Sequence, residues 1–125
     1  MAKKEVFPTQ QVPDPAQINP QTAAEYAGRG WLYFSHQKFL EAQSDLETAI
    51  SLEPNVDFFY ALGLILRAQG KNSEALAVFE KTLPLVSDSE NQQRTTMLRR
   101  LTLGQINMIK SGDWNLEKEV WKRIR

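Results

Sequence analysis

Apolar residues recur every three or four positions along most of this chain, which is the period of an amphipathic helix. No stretch sustains the period-two alternation of a half-buried strand. Turn-forming residues interrupt the helical pattern at Pro54-Asn55, Gly70, Pro84 and Gly112. The pattern predicts an all-α fold of six helices in three antiparallel pairs, with the fourth helix ending at Pro84.

The helical pattern begins at Thr22, after a segment of different composition. Thr22 and Glu25 have the spacing of a capping box, in which each side chain bonds the other residue's backbone N–H. Residues 1–21 hold four of the six prolines: Pro8, Pro13, Pro15 and Pro20. Proline removes backbone donors and disfavours helix at the preceding residue, so residues 1–21 are predicted to form an extended arm.

The two central helix pairs have nearly the same sequence. Shifting the chain by 33 residues places Gly30 on Gly63, Ala42 on Ala75 and Leu46 on Phe79. The small residues lack bulk where the two helices of a pair must approach closely, and the larger ones fill the space between pairs. One pair cannot bury its own apolar face, whereas stacked pairs form a continuous core.

This spacing, with two helices in each unit, resembles the tetratricopeptide repeat, whose length is about 34 residues. The matching residues of the second unit are Phe59, Leu62, Gly63, Gly70, Ala75 and Phe79. Those of the first unit are Tyr26, Gly30, Tyr33, Ala42, Leu46, Ala49 and Pro54. Arg29 replaces the family's leucine there, and Gln37 replaces the glycine of the turn between helices.

The third unit is degenerate, because Leu103-Gly104 and Gly112-Asp113-Trp114 match the family pattern only with a one-residue slip. The resemblance implies a right-handed α-α superhelix of about three antiparallel helix pairs, preceded by the proline-rich arm. We expect a helical domain over residues 22–125, with repeats at about 23–55, 56–88 and 89–125.

In this family the first helix of each pair lines a concave groove that binds extended or helical peptides. Some members hold a C-terminal carboxylate there, but Ala27, Trp31 and Ala61 stand at the corresponding positions, so an apolar or aromatic ligand fits better. The resemblance implies a non-enzymatic adaptor or assembly subunit that binds a protein or peptide. The candidate partner-binding residues are Trp31, Phe34, Tyr60, Leu64 and Arg67.

Charge is unevenly distributed, although the net charge is zero. Residues 23–93 carry five basic and ten acidic side chains, whereas residues 94–125 carry eight basic and three acidic ones. This asymmetry favours a solvated basic helix face, head-to-tail association with a second copy, or an alternative function in nucleic-acid binding. The pI of about 6.6 makes nucleic-acid binding the weaker of these interpretations. The basic-surface candidates are Arg94, Arg99, Arg100, Lys122 and Arg123.

The proline-rich arm is itself a candidate ligand. It carries Val6, Phe7 and Ile18 as apolar anchors and is cheap to order, because proline restricts its unfolded states. It either packs on its own helices, enters the groove of a second copy and produces a homo-oligomer, or acts as a disordered linker.

Catalytic and metal-binding chemistry find little support in the sequence. The chain has no cysteine, and His36 is its only histidine. The carboxylates have the spacing of solvated helix faces, and no phosphate-binding glycine loop or metal-ligand pattern is present. We expect no enzymatic activity, cofactor or metal. We also expect no membrane span or leader, and a cytoplasmic location.

Overall fold

The computed structural model of the protein describes residues 14–86 and 92–114. Within these two ranges the chain is helical and contains no strand, which confirms the all-α prediction. A short 3-10 helix, Pro15–Gln17, precedes five α-helices: α1 (Ala23–Ser35), α2 (Phe39–Leu52), α3 (Val56–Ala68), α4 (Asn72–Val86) and α5 (Gln92–Ser111). The predicted sixth helix lies outside the described residues, apart from Trp114 at its start.

The helices pack in chain order as a stack of pairs. The pairs α1 with α2 and α3 with α4 make the most extensive contacts, and α2 with α3 and α4 with α5 join successive units. Buried side chains of all five helices form one core cluster running through the stack. This arrangement is a helical solenoid, as predicted.

Glycine permits the close approach of the two helices in each of the first two pairs. A Cβ atom at Gly30 would overlap the Leu46 side chain, and one at Gly63 would overlap the Phe79 ring. Leu46 and Phe79 are both fully buried. The predicted role of these glycines is therefore confirmed.

The third unit makes a related contact with a residue from a different position. The Trp114 indole lies where a Cβ of Gly104 would stand. The Asn107 Nδ2 atom donates a hydrogen bond of 2.9 Å to the Trp114 carbonyl oxygen. Residues 112–114 are thereby turned back against α5.

Two helix ends were predicted from the sequence, one at Thr22 and one at Pro84. The capping box is confirmed: the Glu25 N–H donates to Thr22 Oγ1 at 3.1 Å, and the Thr22 N–H donates to Glu25 Oε1 at 3.3 Å. The predicted end at Pro84 is wrong, because α4 continues to Val86. A proline in the last turn removes few hydrogen bonds, and the full burial of Val86 stabilises that turn by packing.

The turns inside the first two pairs share one backbone geometry. Gln37 and Gly70 have φ angles of 64° and 80°. In each turn the next residue's N–H bonds a carbonyl five residues earlier: Lys38 to Tyr33 at 2.8 Å, and Lys71 to Leu66 at 3.0 Å. This is the Schellman arrangement, in which a left-handed residue ends the helix and glycine is favoured.

Gln37→Gly is expected to raise the free energy of unfolding by about 0.5–1 kcal/mol. The change relieves a left-handed conformation that costs a side chain about 1–2 kcal/mol, and the greater backbone entropy that glycine loses on folding offsets part of that gain. Gly70→Gln should lower it by a similar amount, and a Cβ there meets no atom within 4 Å, so the loss would report backbone conformation alone. Urea denaturation measures both. Changes of the same sign in the two variants would contradict the prediction.

Residues 14–20 differ from a free arm, because they pack against α1. Pro15 and Pro20 are buried, and the Ile18 carbonyl oxygen accepts a hydrogen bond of 3.2 Å from Arg29 Nη1. This part of the expected arm therefore lies on its own helices. Residues 1–13 lie outside the described residues.

Arg29 also forms a two-pronged ion pair with α2. Its Nε and Nη2 atoms donate to the two carboxylate oxygens of Asp45, each at 2.8 Å, and Asp45 is only 4% exposed. The guanidinium carbon lies 5.6 Å from the centre of the Tyr26 ring and 5.7 Å from that of Tyr33. The hydrogen bonds with Asp45 raise the pKa of Arg29. Arg29 thus joins α1, α2 and the segment before them.

Candidate functional site

An open depression of about 360 Å³ lies where α1 and α3 face the same side of the stack. Its lining consists of Phe34 from α1 and Leu64, Arg67 and Ala68 from α3. Three of these four are sequence-predicted partner-binding residues. They come together because each is on the first helix of its pair, at positions that the repeat brings to one face.

Trp31 extends the apolar surface of the depression along α1. It is 41% exposed, and its ring meets the Phe34 ring edge to face with centroids 5.5 Å apart. Phe34 in turn contacts Phe39 at 5.5 Å and packs against the core cluster. Phe34 is therefore fixed by its contacts with Phe39 and the core, while Trp31 remains accessible to solvent.

Tyr60 is less available than the sequence suggested. Its ring packs against the buried Phe79, with centroids 5.7 Å apart, so Tyr60 contributes to the core. Burial raises the pKa of the Tyr60 hydroxyl, and this is opposed in part by a hydrogen bond with Gln105 and by the charge of Arg67. Of the five predicted residues, Phe34, Leu64 and Arg67 line the depression, Trp31 adjoins it, and Tyr60 is turned towards α5.

Two residues of this region were not predicted. Ala68 lines the depression, and Gln105 of α5 accepts a hydrogen bond from Arg67 Nη1. The repeat contained a signal for Gln105, since it follows Gly104 as Trp31 follows Gly30 and Leu64 follows Gly63. Gln105 is 8% exposed, so it anchors Arg67 from within the stack.

Three of the basic-surface candidates lie within the described part of α5, and they differ in exposure and pairing. Arg94 forms an ion pair with Asp57 of α3, and Lys110 forms one with Glu80 of α4 at 3.2 Å. Arg99 is partly exposed and Arg100 exposed, while Lys122 and Arg123 lie outside the described residues. Exposed ion pairs are weak, so the basic side chains that α5 presents to solvent within the described residues are Arg94, Arg100 and Lys110, with Arg99 partly exposed.

The described residues offer neither a metal-binding cluster nor a membrane-spanning helix. Among residues 14–86 and 92–114, no three metal-ligating side chains gather in one place. None of the helices in these ranges is long and apolar enough to cross a membrane.

Stacked helix pairs with an accessible aromatic patch on one face define a helical-repeat protein of the kind that binds other proteins. The family model for the tetratricopeptide repeat matches residues 28–90, and the chain belongs to that family. Its match to two successive units agrees with the repeat described above.

The chain is also similar to a larger curated protein, the small glutamine-rich tetratricopeptide repeat-containing protein 2 of Saccharomyces cerevisiae. The two are 34% identical over 76 residues, which is 60% of this chain and 22% of the yeast protein. The match thus spans about a fifth of the relative's length. No solved structure matches the chain.

Proposed function

We propose that this chain is a non-enzymatic adaptor or assembly module, and that the depression and Trp31 bind an apolar segment of a partner protein. The observation that carries the proposal is the exposed Trp31 ring beside an open depression floored by Phe34 and Leu64. Tryptophan and arginine are the side chains that most often dominate protein interfaces, and both border this surface.

The shape of the depression favours a peptide segment over a small molecule. Small-molecule sites enclose most of their ligand, whereas this depression opens broadly to solvent. An extended or helical segment needs only one or two side chains buried, and the rest of it can remain in water. Phe34, Leu64 and Ala68 provide the apolar contact for one such side chain.

Arg67 is suited to orient the bound segment. Its guanidinium stands at the rim with one Nη donor used by Gln105, so the side chain is held in a defined position. A guanidinium held in this way can donate to a carbonyl or carboxylate of the ligand without much further loss of side-chain entropy.

The proposal is tested with the double variant Trp31→Ala, Leu64→Ser. The change removes the exposed Trp31 ring and the Leu64 side chain from the floor of the depression. Affinity for a partner bound there should fall at least about thirtyfold, which corresponds to the loss of an interface hot spot of about 2 kcal/mol. Partners captured by the wild type and identified by mass spectrometry would be purified, and their binding measured by calorimetry.

The matched control is Leu40→Ala, Leu52→Ala on α2, which removes two leucines that are 68% and 57% exposed and lie outside the depression. This control should bind as the wild type does. Circular dichroism melting would establish that both double variants are folded. A partner bound equally well by the groove variant and the control would contradict the proposal.

A further inference from the structure

We propose that the chain carries its own competing occupant of the depression: the segment before Asp14, anchored by Phe7, binds there in cis. This inference rests on the proposed function of the depression and adds a way in which its occupancy is limited. An external partner would then have to displace the segment before binding.

The segment is tethered beside the depression. Pro15 and Pro20 are buried, and Arg29 Nη1 holds the Ile18 carbonyl, so the chain is attached to α1 up to Asp14. The same helix supplies Trp31 and Phe34 to the depression. The segment therefore starts from the helix that lines its proposed site.

The segment is also long enough to reach the depression. Seven peptide steps separate Phe7 from Asp14, and an extended chain covers about 3.3–3.6 Å per step, or about 23–25 Å in all. Phe34 is five residues beyond Arg29 on α1, which is about 7.5 Å along the axis and about 140° around it. Measured from Arg29, a path over the surface of a helix about 10–12 Å wide is therefore about 15 Å long. The extended segment leaves about 8–10 Å to cover the offset between Asp14 and Arg29.

The side chains of the segment suit the depression chemically. Phe7 is the only aromatic residue before Tyr26, and it is flanked by Val6 and Pro8. An aromatic side chain next to proline suits an aromatic-lined depression, because extended proline-containing segments lose little conformational entropy on binding. The surrounding residues are mostly polar, so Phe7 is the side chain with most to gain from burial.

Tethering sets the size of the expected effect. A short flexible linker gives an effective concentration of about 1 mM. If the free segment binds with a Kd of about 0.1 mM, the tethered one fills the depression in roughly nine molecules of ten, and an external ligand binds about tenfold more weakly.

The test compares full-length wild type with full-length Phe7→Ser, using a fluorescein-labelled peptide of residues 3–13 as the probe. Fluorescence anisotropy should show that Phe7→Ser binds the peptide about tenfold more tightly than the wild type does. Val12→Ser, a matched change in the same segment, should behave as the wild type. Adding Leu64→Ser to Phe7→Ser should abolish peptide binding.

Equal affinity of the peptide for wild type and Phe7→Ser would overturn the proposal, as would no binding to Phe7→Ser. A mass from light scattering that rises to a dimer in the wild type, but not in Phe7→Ser, would place the segment in a second copy and overturn the cis assignment. None of these results bears on whether an external partner binds through Trp31 and Leu64. Failure of the proposed function would instead appear as partner binding indifferent to those two residues.

Discussion

Replacing Phe79 by alanine is expected to lower the free energy of unfolding by about 3–5 kcal/mol. The ring is fully buried, fills the space that Gly63 leaves open, and packs against the Tyr60 ring. Its loss removes apolar burial and leaves a cavity between α3 and α4. Since a domain of this size is stable by about 5–15 kcal/mol, the variant should unfold at a much lower urea concentration.

Two further variants separate this contact from general damage to α4. Phe79→Leu copies Leu46, its counterpart in the first pair, and should cost less than about 1.5 kcal/mol. Leu85→Ala removes a side chain on the same helix that is 40% exposed, and should cost about 0.5 kcal/mol or less. If Phe79→Ala were no more destabilising than Leu85→Ala, the described packing at Gly63 would be incorrect.

The second large effect is expected at the Arg29–Asp45 ion pair. Asp45→Val alone should lower the free energy of unfolding by about 2 kcal/mol, because it leaves a partly buried guanidinium without its carboxylate. Arg29 would also lose the partner that holds it against the Ile18 carbonyl. Chemical denaturation of the single and double variants measures the coupling between the two sites.

The repeat supplies the natural double variant for this cycle. Shifting by 33 residues places Arg29 on Leu62 and Asp45 on Val78, so Arg29→Leu with Asp45→Val copies the second pair. Replacing a buried ion pair by apolar residues of similar size is often neutral, and the double variant should lie within about 1 kcal/mol of the wild type. If the loss in the double variant equalled the sum of the losses in the two single variants, the ion pair would contribute nothing to stability.

The features that could be predicted from the sequence are those set by spacing within one helix pair. Gly63 and Phe79 are sixteen residues apart, as are Gly30 and Leu46, and this spacing alone brings each glycine against its larger partner. The capping box and the left-handed turn at Gln37 are likewise local. Such features depend on few residues, so a single sequence contains enough information to place them.

The candidate site was partly predictable for the same reason. Phe34, Leu64 and Arg67 gather because the repeat brings their positions to one face. The partial burial of Tyr60 and the pairing of Arg94 with Asp57 depend instead on how α5 packs across α3. No local spacing sets that contact, since the third unit departs from the repeat.

The attachment of residues 14–20 could not be predicted from residue spacing. Arg29 was recognisable as the residue that replaces a leucine of the repeat, but its partners are Asp45, sixteen residues later, and the Ile18 carbonyl, eleven earlier. A carboxylate on α2 has the same periodic spacing whether it faces water or a guanidinium. Burial of Asp45 distinguishes the two, and only the packed structure contains it.

The floor of the depression comes from two successive repeats, Phe34 from one and Leu64 from the next. Its width therefore measures the angle at which neighbouring units are stacked. A segment bound against both side chains would contact two units at once, so its affinity would depend on that angle.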